Sequence, residues 1–322
     1  MEALQHPAGI SLVQAVEVWL PSEDQSRITW ASGSYTGHDE FAQKSKAITF
    51  ERGEGLPGIA WEKGLPVVSQ ELSEDDFVRG EAARRIGIDC LVAVPVMQNE
   101  QCRGVVSFLC RGGEGLQGAF EVWHRNDRDE LGLSSSYYSN LERFGAVSQC
   151  VRFPRRAGLP GETWNDREPK IVSRVGLSKS FMRAAGARAE NLSVAIAWPI
   201  MRTALELEAV FMMLSSAKSP IASVMEVWKP QPKEEEEGNR WCLADSSYGP
   251  FIGLEPVSEK LCFGEGEALV GRVAASRTPM VSEDLASEPT RGELFAEYGF
   301  TWSLGLPVFV GEELTAIVVM MQ

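Results

Sequence analysis

The chain has 322 residues, of which 44% are hydrophobic and 24% charged, and its formal charge is -14. That is a globular composition, long enough for two or three domains. The acidic balance argues against generic binding to nucleic acid or anionic membrane, both of which need a basic surface, and no apolar run approaches the roughly 20 residues of a membrane span.

The first residues, Met1 to Pro7, lack the basic and apolar regions of a signal peptide. The expectation is a cytoplasmic protein with reduced thiols. Its six cysteines are Cys90, Cys102, Cys110, Cys150, Cys242 and Cys262. They form no C-x-x-C pair and fit no zinc template, so they read as small core residues. His6, His38 and His124 are the only histidines, which leaves little for histidine catalysis or metal binding.

In chain order the sequence repeats itself with a period of about 105 residues, the size of a whole domain rather than a solenoid unit. A first strand recurs as Val16-Glu17-Val18-Trp19, Phe120-Glu121-Val122-Trp123 and Met225-Glu226-Val227-Trp228. Alternation puts the apolar residue and Val on one face, Glu and Trp on the other. A second strand ends near Tyr35, Tyr138 and Tyr248. In the third copy Pro230 to Gly238, with four consecutive glutamates, reads as a solvated hairpin loop.

A third strand, Ala47 to Phe50, is matched by Cys150 to Phe153 and Lys260 to Phe263. The central motif follows: Gly55-Leu56-Pro57-Gly58-Ile59-Ala60-Trp61, then Gly158-Leu159-Pro160-Gly161-Glu162-Thr163-Trp164, then the degraded Ala268-Leu269-Val270-Gly271-Arg272-Val273-Ala274. Gly58, Gly161 and Gly271 hold one position, which predicts a positive φ or a close backbone approach. A short strand follows Pro66, Pro169 and Pro279.

A helix comes next. In the first copy Asp75 and Asp76 open it, and Val78, Ala82 and Ile86 form its apolar stripe. It stops at Gly87, matched by Asn191 and Gly299, residues that accept the left-handed helix end. Each copy closes with two apolar strands, the first bearing Pro95, Pro199 or Pro307 at an expected edge or bulge. The predicted fold class is α+β: three tandem domains, residues 1–111, 112–217 and 218–322, each a five- or six-stranded antiparallel sheet with short crossing helices.

This ordered set resembles the GAF family, a PAS-related fold. The resemblance rests on the Glu-Val-Trp strand, the Phe-x-x-Gly-x-Gly-Leu-Pro-Gly-x-x-Trp motif, an Arg on the crossing helix, a Gly at its end and an apolar strand bearing Pro. It implies a sensory or regulatory domain in signal transduction, which often binds a small molecule between sheet and helices and often dimerises. The linkers Gly113 to Ala119 and Lys218 to Val224 are too short for the long flanking helices of many such domains. The sheet face those helices would cover is therefore expected to be buried by a neighbouring copy or another chain.

The ligand-binding candidates are Trp61, Arg79, Trp164, Arg183 and Arg291. The arginines read either as guanidinium groups for an anionic ligand or as side chains packed on the sheet with heads bonded to loop carbonyls. The tryptophans read either as stacking platforms or as core anchors. Glu17, Glu121 and Glu226 read either as inter-domain contacts or as solvent-exposed carboxylates. Cys90, Cys102 and Cys110 cluster on the closing hairpin of the first copy, and some GAF proteins are free methionine-R-sulfoxide reductases that use several cysteines. The cysteine context here does not match that enzyme. The reading is a non-catalytic sensory or regulatory protein, with no metal or cofactor, that binds an unknown small molecule, a partner signalling protein or a second copy of itself. The alternatives are an assembly scaffold without a ligand and, against the cysteine context, a thiol enzyme.

Overall fold

A computed structural model describes residues 11–70, 72, 79–232 and 239–322. Asp75, Asp76, Val78, His6 and the glutamate run of the third hairpin lie outside the described residues.

The first copy holds β1 (Val13–Pro21), β2 (Arg27–Tyr35), β3 (Thr49–Glu51), β4 (Val67–Ser69), β5 (Ile88–Gln98) and β6 (Gln101–Arg111), with helices α1 (Asp39–Lys46), α2 (Gly55–Lys63) and α3 (Gly80–Arg85). The second holds β7 (Gly118–Arg125), β8 (Glu130–Ser139), β9 (Arg152–Pro154), β10 (Lys170–Ser173), β11 (Leu192–Met201) and β12 (Leu207–Ser216), with α4 (Glu142–Cys150), α5 (Gly158–Asp166) and α6 (Ala184–Ala189). The third holds β13 (Val224–Pro232), β14 (Asn239–Ser247), β15 (Cys262–Phe263), β16 (Met280–Ser282), β17 (Ser303–Val310) and β18 (Glu313–Met321), with α7 (Glu255–Ser258), α8 (Ala268–Ser276) and α9 (Gly292–Tyr298).

All three sheets are six-stranded and share one order, β3-β2-β1-β6-β5-β4 in the first copy. Every pairing is antiparallel. This is a GAF-like α+β arrangement written three times.

The two faces of each first strand have different fates. Val16 and Val18 enter one large apolar cluster with Phe108, Phe120, Phe211 and Val227, drawn from all three sheets. Trp19 points the other way, into the cluster beneath the helices of its own copy. Each sheet thus packs its helices on one side and the other two sheets on the opposite side. Phe120 links the first two sheets, its ring centroid 5.7 Å from that of Phe108 and 6.2 Å from that of Phe211 of its own sheet. The face without flanking helices is covered by neighbouring copies of the same chain.

The copies close a ring. β4 packs on β8, β10 on β14 and β16 on β2, while β5, β11 and β17 meet one another at the centre. At two of the seams an edge-strand amide donates to a side chain of the next copy: Ile171 N–H to Asp245 Oδ2 and Val281 N–H to Ser32 Oγ, both 3.0 Å. Pro95, Pro199 and Pro307 come together where the three closing strands converge. Each lies beyond the short stretch paired to its outer strand, so its missing N–H breaks no ladder there.

Several expectations need correction. A helix precedes each third strand (α1, α4, α7), where the sequence reading had only a connection. The third hairpin's strand runs through Pro232, so Pro230 is not in a loop. β18 pairs with β13 only as far as Trp228, which leaves the prolines an open edge. Cys242 and Cys262 are not reduced but disulfide-bonded. They are 20 residues apart and become direct cross-strand partners through the β14–β15 register, which spacing alone does not reveal.

The central glycines are there for space. A Cβ on Gly58 would stand 2.2 Å from the Glu51 carbonyl oxygen, on Gly161 2.2 Å from that of Pro154, and on Gly271 1.9 Å from that of Gly264. Positive φ belongs to the first residue of the motif instead: 57° at Gly55, 62° at Gly158 and 52° at Ala268.

Candidate functional site

In the first copy β1 carries Glu17 into the space between sheet and helices, and the turn entering α3 carries Arg79 to meet it. Arg79 Nη2 donates to Glu17 Oε2 at 2.9 Å, and Nη1 bonds both Glu17 Oε1 and Ser45 Oγ. Tyr35 O–H donates to Glu17 Oε1 at 2.9 Å. The guanidinium lies 4.9 Å from the Phe41 ring centroid and 5.6 Å from that of Trp19.

The second copy repeats this. Arg183 Nη2 donates to Glu121 Oε2 at 2.7 Å, Tyr138 O–H to Glu121 Oε1 at 2.6 Å and Trp123 Nε1–H to Glu121 Oε2 at 2.9 Å. In the third, Arg291 Nη1 donates to Glu226 Oε1 at 2.6 Å and to Ser258 Oγ at 3.1 Å, and Tyr248 O–H donates to Glu226 Oε1 at 2.8 Å. All three glutamates are fully buried. Burial, reinforced by the adjacent glutamate, pushes the hydroxyls of Tyr35, Tyr138 and Tyr248 well above the usual tyrosine range.

These contacts differ from both readings of each group. Each arginine faces the carboxylate of its own copy. The glutamates are neither exposed nor inter-domain. A carboxylate in that position is tolerable because a guanidinium, bidentate in the first two copies, and a tyrosine satisfy it, with Trp228 Nε1–H donating to the second oxygen in the third. The serines that complete the arrangement, Ser45, Ser148 and Ser258, were missed. Their signal was the recurring apolar residue four positions earlier, Phe41, Phe144 and Leu254.

Trp61 and Trp164 lie elsewhere. Neither ring is among those facing Arg79 or Arg183. Trp61 is buried on α2 with Arg52 over its ring at 4.7 Å, and it lines a cavity of about 210 Å³ against Met201 and Arg202 of the second copy. Trp164 is covered by Arg155 and Arg125 at 5.8 and 5.9 Å.

The larger opening is between copies. A cleft of about 960 Å³ runs between the second and third copies, floored by the start of the first. Its walls include Ser173, Val194, Ser215, Ser247 and Phe251. Aligning the sheets shows why it is open here. Ser247 corresponds to Tyr137, which is buried at the junction of copies one and two with its hydroxyl 3.3 Å from Asp89. Val194 corresponds to Trp302, which is buried in copy three. The first-copy counterparts are Ser34 and Cys90, so at these two positions each of the other junctions carries one aromatic ring and this junction carries none.

The three thiols of the closing hairpin, Cys90, Cys102 and Cys110, are buried and free. Burial pushes Cys102 up to about 12 and the other two well above the ordinary thiol value. Among the described residues no group of three or more His, Cys, Asp or Glu could hold a metal ion, and no helix is long and apolar enough to cross a membrane.

No family model and no curated protein matches the chain. Solved structures similar to it include the nlh2 GAF domain of A. aeolicus in an inactive state, at 19% identity over 32% of this chain and 60% of that one, with a TM-score of 0.26. A NreA protein from Staphylococcus aureus, mutated in its nitrate binding site, is 21% identical over 32% of this chain and 75% of that one, with a TM-score of 0.27. A free methionine-R-sulfoxide reductase from Neisseria meningitidis is 19% identical over 32% of this chain and 57% of that one, with a TM-score of 0.24. The chain thus spans less than two thirds of the first and third of these proteins.

Proposed function

We propose that this is a non-catalytic regulatory protein in signal transduction that recognises its ligand between copies rather than inside them. The observation that carries the reading is the contrast between two kinds of space. Within each copy the arginine beneath the helices is already paired with a buried glutamate. Between the second and third copies a cleft of about 960 Å³ stays open, near the upper end of the roughly 300–1,000 Å³ of ligand sites. The thiol-enzyme alternative draws no support from Cys90, Cys102 and Cys110, because an attacking thiol must be accessible and ionised. Output passes to a partner chain.

Native mass spectrometry of freshly purified protein tests this, with Ser247→Tyr as the comparison, a change that borrows the ring of Tyr137. The expected result is a retained small molecule on the natural chain and its loss from the variant. A molecule held equally by both places the site elsewhere, and a bare protein that no metabolite stabilises in thermal shift favours the scaffold.

A further inference from the structure

The charges around the cleft are few and opposed. Arg174 follows β10 on the second-copy wall, and Glu255 opens α7 on the third-copy wall. Both are exposed. Neither side chain makes a hydrogen bond or ion pair among the described residues, unlike the buried pairs within the copies. Among the described residues no other Asp, Glu, Lys or Arg lines the cleft. A ligand with a single charge would therefore pair one of them and leave the other unmatched. One with a carboxylate at one end and an ammonium at the other would find both.

The space between those two charges is mixed in character. Phe251, Val194 and Ala222 give it apolar wall, and Ile252 stands 78% exposed at its edge. The hydroxyls of Ser173, Ser246 and Ser247 make no side-chain hydrogen bond among the described residues, so they remain for amide groups of a ligand. Arg174 also holds a left-handed φ of 51°, a conformation that costs free energy away from glycine and that clusters at ligand clamps.

Resting on the reading of this cleft as the ligand site, we infer that it takes a short peptide with free termini, its carboxylate on Arg174 and its ammonium on Glu255. Size selects the peptide over a single amino acid, because a volume of about 960 Å³ would leave most of the space around one amino acid as water.

Calorimetric titration with the tetrapeptide Leu-Ala-Ala-Leu, free and in its N-acetylated, C-amidated form, tests the class. Charge-assisted hydrogen bonds predict that blocking each terminus weakens binding by about tenfold. Arg174→Glu and Glu255→Lys should each weaken the free peptide, and the double exchange should restore it in the reverse orientation. Both positions are exposed, so the variants fold. Equal affinity of free and blocked peptides, or no recovery in the double exchange, overturns the peptide assignment. If neither peptide binds but a retained molecule is still lost in Ser247→Tyr, the site stands and the peptide class falls. If peptide binding survives Ser247→Tyr, this assignment and the cleft reading both fall.

Discussion

Arg79 and Glu17 are 62 residues apart in sequence and meet at 2.9 Å with side chains 2% and 0% exposed. The same pair recurs as Arg183 with Glu121 and Arg291 with Glu226. A buried pair of this kind is costly to break and cheap to replace. Removing one partner strands a charge. Glu17→Ala should therefore destabilise the first copy by about 3–5 kcal/mol, whereas Glu17→Met with Arg79→Met should cost far less. Urea unfolding followed by tryptophan fluorescence separates these outcomes. A double variant as unstable as the single one would mean that the pair contributes more than its own desolvation.

The carbonyl of Glu51 leaves no room beside Gly58, where a Cβ would stand 2.2 Å away. The obstacle is backbone, so it cannot rotate aside. Gly58→Ala should cost more than about 2 kcal/mol by forcing the β3–α2 turn apart. A thermal melt of that variant matching the natural chain would refute the close approach.

Ala268 sits at φ 52° in the place that Gly55 and Gly158 hold in the other copies. An L-residue pays about 1 kcal/mol for that conformation, and glycine does not. Ala268→Gly should stabilise the third copy by somewhat less than this, because glycine also loosens the unfolded chain. Differential scanning calorimetry would show a rise in Tm. A fall would mean that the Ala268 side chain packs well enough to outweigh the strain.

The buried thiols set an alkaline limit. Folded Cys102 keeps its proton up to about 12, against an ordinary 9.0. A group whose proton is held more tightly in the folded state gives stability that is complete below the unfolded value and lost as pH rises through the folded one. Stability should fall between pH 9.0 and about 12, and Cys102→Ala should flatten part of that fall. Iodoacetamide at pH 8 should modify the exposed Cys150 first and reach Cys90, Cys102 and Cys110 only on unfolding.

The Cys242–Cys262 bond closes a loop between residues 20 apart. Chain entropy predicts that Cys242→Ser lowers stability by about 3 kcal/mol. The check is a comparison of oxidised, reduced and variant protein in guanidinium. Equal midpoints would mean that the β14–β15 pairing holds without the bond.

The sequence by itself determined the threefold repeat, the sheet strands and the helix ends at Gly87, Asn191 and Gly299, all of which take positive φ. Those features are local: alternation, period and left-handed stops are written in neighbouring residues. It also marked the residues of the buried pairs, Glu17, Tyr35 and Arg79 and their counterparts, but not that they touch. Which carboxylate meets which guanidinium depends on strand β1 and the α3 turn facing one space, a relation between distant segments. The cleft was further out of reach. Ser247 and Val194 are unremarkable alone, and they matter because no aromatic ring stands at this junction where Tyr137 and Trp302 each occupy one of the corresponding places at the others. The disulfide likewise arose from register. Tertiary structure decided these points because each depends on what stands opposite a residue, and a strand's alternation says which face a side chain takes but not what covers that face.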